Sequence, residues 1–244
     1  MGLSILMYHQ VGHFPTMDTH RATYCNIGRF RVQMRALRLL GYSVIGMDRA
    51  VAALQGREPM PERAVVLTFD DGYENFYENA LPILEGHGYP SIVYAVASQL
   101  GQHASWLAAD GHVPAALMSA SRLRDLAARG VEVGSHGMNH VRLRGLSPRA
   151  QLKELRDSRD QLAQILGRPV SHVCYPYGAH DLVTLHAAAD AGYTTGVTCQ
   201  RGAATPAYDL MALPRKAISQ GDSLVGYWWK LAVKNAPKGS ALTR

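Results

Sequence analysis

Leu67-Thr68-Phe69-Asp70-Asp71-Gly72 is the stretch on which the reading of this chain turns. The apolar run Ala64-Val65-Val66-Leu67 leads straight into it. A short run rich in β-branched residues and bounded by a turn signal predicts a strand, so both acids fall at a strand end. Two adjacent carboxylates repel each other there unless something nearby compensates. A divalent cation does so, holding one acid ionised and leaving the other free as a base. Such an ion needs more ligands, and Ser135-His136-Gly137-Met138-Asn139-His140 offers two imidazoles. A spacing of four can aim both at one ion. Each motif alone is weak, because the chain has eleven histidines and Asp-Gly is a common turn. Together they supply one carboxylate and two imidazoles, which leaves coordination positions open for water and substrate.

Outward from these motifs, short apolar runs alternate with longer amphipathic segments. Strands are predicted at 4–9, 42–45, 64–69, 90–97, 131–135, 170–175, 193–199 and 211–218. Helices are predicted at 27–40, at 48–54 with Asp48 as its cap, and at 74–86. Further helices are predicted at 119–130, 147–166, 182–191 and 222–234. Repeated β-then-α units favour a mostly parallel sheet, and seven or eight of them favour a closed or nearly closed (β/α)7-8 barrel. At this length one α/β domain over 1–236 is expected, followed by a loose tail at 237–244. The chemistry-bearing residues all fall just after strands, on the face where barrel active sites lie.

Composition narrows the class. A hydrophobic fraction of 47% with 18% charged residues disfavours disorder. The net charge of +6 is spread over helical segments such as Arg29, Arg31, Arg35 and Arg38, or Arg149, Lys153, Arg156 and Arg159. These read as solvated helix faces, and no nucleic-acid-binding motif accompanies them. The three cysteines, Cys25, Cys174 and Cys199, are odd in number and lack CxxC spacing, so no disulfide framework is expected. No apolar stretch approaches the ~20 residues that span a bilayer. The N-terminus lacks a basic region before its short apolar run, so a cytoplasmic location is expected.

Thr68-Phe69-Asp70-Asp71-Gly72 followed by His136-x-x-x-His140 resembles the first two motifs of the polysaccharide deacetylases, the NodB-homology or carbohydrate esterase family 4 enzymes. Tyr175-Pro176-Tyr177-Gly178 is similar to the third motif in the branch that deacetylates poly-N-acetylglucosamine. Leu6-Met7-Tyr8-His9 and Leu213-Pro214-Arg215 also suit that branch. The resemblance implies a distorted NodB-like barrel and removal of N-acetyl groups from amino sugars of a glycan. It implies Asp71, His136 and His140 as ligands of a divalent metal, most often zinc. Asp70 would be the base that deprotonates the attacking water, and the backbone amide of Tyr177 would help to stabilise the oxyanion. Tyr175, Tyr177 and Trp106 are assigned to substrate contact.

The departures from the family pattern carry their own expectations. Gly137 stands where Ser or Thr is common, so a supporting hydroxyl is lost. Cys174 stands where an arginine usually holds the base, and Arg215 is expected to replace that charge beside Asp70. The usual late-motif histidine is absent, and His9 is expected to serve as the general acid, with His180 a weaker candidate. Tyr227, Trp228 and Trp229 could form a sugar platform, but core packing is the expectation for a terminal amphipathic helix. His103 and His112 lack partners at ligand spacing and read as solvated loop histidines. Two other functions compete: an O-acetyl esterase on polysaccharide, and a catalytically weak carbohydrate-binding member of the fold.

Overall fold

The computed structural model describes residues 2–237 and 242–244. Eight strands form the main sheet: β1 (Ser4–Tyr8), β2 (Ser43–Val44), β3 (Ala64–Phe69), β4 (Ile92–Ala95), β5 (Glu132–Ser135), β6 (His172–Cys174), β7 (Thr195–Arg201) and β8 (Leu213–Ala217). All are parallel, and the order β1-β8-β7-β6-β5-β4-β3 returns to β1, where Leu6 faces Leu67. Seven strands therefore close the barrel. The eighth, β2, only flanks the start of β3 at Ala64 and Val65, because the chain turns at Gly46 into the next helix after two paired residues.

Side-chain alternation explains why β3 is apolar on both faces. Val65, Leu67 and Phe69 pack with Phe30, Met34 and Leu37 of helix α1 (Ile27–Leu39). Ala64 and Val66 point the other way and pack with Ile5, Ile92, Tyr94, Val197 and Leu213. A period of two then assigns Thr68 and Asp70 to the inward set, at the mouth of the barrel. Each fully buried Leu or Phe here contributes about 1.5–3 kcal/mol, so a register slip that turned this strand over is strongly disfavoured.

The remaining helices are α2 (Met47–Leu54), α3 (Leu81–His87), α4 (Ala120–Ala128), α5 (Pro148–Leu166), α6 (Leu182–Asp190) and α7 (Leu224–Ala232). Ser147 caps α5 with Pro148 in the first turn, as its sequence suggests. Asp181 and Thr184 form a capping box on α6. Asp48 does not cap α2: Gly46 does, and the Asp48 carboxylate instead meets His172 Nε2 at 3.0 Å. The helix expected over 74–86 starts at Glu74 and passes through a π-helical turn at Phe76–Ala80 before α3. Trp228 and Trp229 are 43% and 48% exposed, which corrects the expected core packing; only Tyr227 of that trio is buried. Residues 238–241 of the expected tail lie outside the described residues, and the Arg244 side chain meets Asp209 at 2.9 Å.

Gly196 in β7 shows how tightly the barrel is filled. A Cβ there would lie 2.3 Å from the Tyr175 hydroxyl and 2.6 Å from Met211 O. Gly196→Ala is expected to destabilise the protein by about 1–3 kcal/mol through overpacking, measured as a lowered urea midpoint with an unchanged m-value.

Candidate active site

Asp70 sits 2% exposed at the barrel mouth, and β8 delivers Arg215 against it. Arg215 Nη1 and Nη2 donate to Asp70 Oδ1 and Oδ2, both at 2.7 Å. Nη1 also donates to Thr68 Oγ1 at 2.9 Å, Nε to Thr198 O at 2.9 Å and Nη2 to Cys174 Sγ at 3.1 Å. Every one of the five guanidinium donors thus has an acceptor, which is what makes a buried arginine tolerable. Burial by itself would raise the Asp70 pKa; the Arg215 charge and its hydrogen bonds override this and hold it below the ordinary value. The thiol at Cys174 points at Asp70 Oδ2 from 3.4 Å. Burial pushes that thiol well up, so it serves as a neutral donor where the resemblance expects a cation.

Asp71 follows on the loop with φ 72°, a left-handed conformation costly for a non-glycine residue. The twist turns its carboxylate from the barrel interior toward the histidines. Asp71 Oδ1 lies 3.2 Å from His136 Nε2 and 3.3 Å from His140 Nε2, and all three residues are buried. His136 Nδ1 lies 2.8 Å from the Cys174 carbonyl, which can only accept, so Nδ1 carries a proton. In a neutral ring Nε2 then presents a lone pair to a carboxylate oxygen. Two acceptors face each other at 3.2 Å, an arrangement that a cation between them resolves. The donor set, one carboxylate and two imidazoles, suits a zinc-type divalent ion.

The loop that carries the histidines is held from outside. Gly137, at φ 77°, occupies a conformation that favours glycine over the Ser or Thr common there. Support comes from neighbours instead. Ser135 Oγ accepts from Gly137 N at 3.1 Å, and Glu154 on α5 accepts from Asn139 N and Nδ2 at 2.5 and 2.9 Å. The Glu154 contacts were not readable from the motif alone, since Glu154 lies in another element.

A cavity of about 610 Å³ opens over these groups and is lined by His9, Asp70, Asp71, Trp106, His136, His140, Arg142, Tyr177 and Cys199 among others. His9 Nε2 lies 3.8 Å from Asp70 Oδ2, and its Nδ1 is buried without a hydrogen-bond partner among the described residues. Groups in tilted contact form one wall: Trp106 against His140 (4.0 Å between centroids), His140 against Tyr177 (4.7 Å), and the Arg142 guanidinium over Tyr177 (4.2 Å). Tyr175 also lines the cavity, yet it is fully buried and its hydroxyl donates to Met211 O at 2.9 Å. Its hydroxyl is thus engaged inside the barrel, and Tyr175 meets the cavity as a buried lining group. His180 is held apart from the catalytic groups, with Nδ1 2.7 Å from Gly178 O. His112 is not a free loop histidine; it bridges Tyr24 and Thr19 at 2.8 and 2.9 Å. His103 is exposed and takes no part in the site.

The polysaccharide deacetylase family model matches residues 57–196, more than half of the chain. This chain belongs to the polysaccharide deacetylase family. Both acids, both histidines and the Tyr175–Gly178 turn fall inside the match, whereas His9 and Arg215 fall outside it. YxkH of Bacillus subtilis, named for the same family, is 28% identical over 91% of this chain and 73% of its own length. A Staphylococcus aureus poly-β-1,6-N-acetyl-D-glucosamine N-deacetylase is 25% identical over 69% of this chain, which spans 59% of that relative. Among solved structures, the Streptococcus pyogenes deacetylase PplD in complex with acetate superposes with a TM-score of 0.81 at 27% identity, covering 95% of this chain and 98% of that one. The deacetylase fold and hydrolytic family are thus shared, and no helix among the described residues is long and apolar enough to cross a membrane.

Proposed function

We propose that this deacetylase removes N-acetyl groups from N-acetylglucosamine units of a glycan, using a divalent metal, with zinc the best match to the donors. The observation that carries the reading is the pairing of two acids with opposite tasks. Asp71 converges with two imidazoles, while Asp70 one residue earlier is held ionised by Arg215. When bound by Asp71, His136 and His140, the ion supplies Lewis acidity toward the acetamide carbonyl and lowers the pKa of water. Asp70 takes the proton from the attacking water, and Arg215 fixes both carboxylate oxygens so that no rotamer is lost. The backbone N–H of Tyr177 is assigned to the developing oxyanion. His9, within reach of Asp70, protonates the departing amine.

Two experiments test this. Acetate release from N-acetylglucosamine oligomers, compared with acetylated xylan and with and without chelator, separates N- from O-deacetylation; faster release from xylan overturns the amide reading. His9→Gln is expected to lower kcat on the oligomers by about 10²–10⁴. An aryl acetate, whose leaving group needs no proton, should be hydrolysed within severalfold of the wild-type rate. Equal losses on both substrates would remove the acid role.

A further inference from the structure

We infer that a second cavity beside the acetamide site binds an anionic group, a phosphate or a carboxylate, carried by the sugar next to the one deacetylated. The inference deepens the deacetylase reading and rests on it for the substrate's frame. This cavity, about 520 Å³, shares Arg142 and Tyr177 with the catalytic one and is further lined by Arg144, His180 and Gln200. Among the described residues no carboxylate lines it.

The two arginines are placed there by the chain. Leu143 between them is 1% exposed and anchored in the core, so Arg142 and Arg144 turn to the opposite, solvent side. Arg144 N donates to Ala179 O at 3.4 Å, which ties this loop to the Tyr177–His180 wall. Arg142 is held over the Tyr177 ring, and that ring rests on His140. A fixed cation therefore stands one aromatic ring away from the candidate metal ligands. Neither guanidinium has a carboxylate partner among the described residues. Guanidinium forks match phosphate and carboxylate oxygens in pairs, and a concave cluster of like charge concentrates counter-ions. A neutral amino-sugar polymer would leave these charges with nothing to bind. The other wall of the catalytic cavity bears Asp110, already paired with His20 at 2.9 Å, so the cationic side is the one open to an anion.

The test uses the zinc-loaded protein and Arg144→Gln, because Arg144 does not line the catalytic cavity. A hexose phosphate, a hexuronate and a neutral hexose are titrated by calorimetry or NMR. At least one anionic sugar should bind tenfold or more tightly than the neutral one, and Arg144→Gln should remove that advantage; the tighter of the two names the anion. Equal binding of all three sugars, or an advantage that survives Arg144→Gln, overturns the subsite. In parallel, kcat/KM is compared for N-acetylglucosamine oligomers with and without an adjacent anionic unit. Anion binding without acetate release from any oligomer would sink the deacetylase reading and leave the subsite standing. Equal turnover of both oligomers with no anion binding would do the reverse.

Discussion

Arg215→Met should cost the enzyme at least about a hundredfold in kcat and about 3–5 kcal/mol in stability, the range for removing one partner of a buried ion pair. The methionine fills similar volume, so the loss reports the charge. Asp70 would remain buried with the Cys174 thiol as donor and His9 Nε2 at 3.8 Å, without the guanidinium that now binds both its oxygens. Asp70→Asn combined with Arg215→Met should recover much of the stability and none of the activity. A double variant no more stable than the single would show that Arg215 acts through packing.

The pH dependence of that variant has a definite sign. In the wild type Asp70 lies below its ordinary value of ~3.9. Its contribution to stability is therefore complete above about pH 4 and lost as pH falls through the folded pKa. With the guanidinium gone, burial dominates and raises the carboxyl above its unfolded value. The variant should then lose stability as pH rises through that new value, and its remaining activity should rise over the same interval. Stability and rate profiles of the two proteins between about pH 4 and pH 9 check this. Parallel profiles would remove Arg215 as the group that keeps the base ionised.

Loss of the metal is the second large effect. Chelation should reduce acetate release by at least about a thousandfold, and added zinc should restore it. His140→Ala removes one of three donors and should keep neither stoichiometric metal nor turnover, with the fold intact by circular dichroism. Imidazoles ligate only when neutral, so protons compete with the ion, and metal content should fall as pH drops below about 6. Metal analysis of wild type and variant after gel filtration decides the matter. A His140→Ala protein that keeps one metal and full activity would overturn the assignment of the triad.

Much of this site was legible because its information is local. The period-two pattern of Ala64–Phe69 dictates a strand with both faces buried, and the next residues in chain order are the acids. The separation of His136 from His140 is likewise a local fact, as is the alternation of strands and helices that predicts a barrel. Errors came where a local pattern had two tertiary outcomes. The terminal helix has apolar residues on more than one face, and only packing decided that Tyr227 turns inward while Trp228 and Trp229 stay exposed.

By itself the sequence determined the strand, the pair of acids and the histidines, because each depends on neighbours within a few residues. The family resemblance suggested Arg215 beside Asp70, and only the tertiary structure decided that it holds both carboxylate oxygens. Arg215 is 145 positions away, and nothing in the spacing of either residue encodes the other. Closure of β8 onto β1, and of β1 onto β3, brings the two side chains into one barrel mouth. Both side chains are buried there, so a guanidinium that would be one of many on the surface sets the charge of the proposed base.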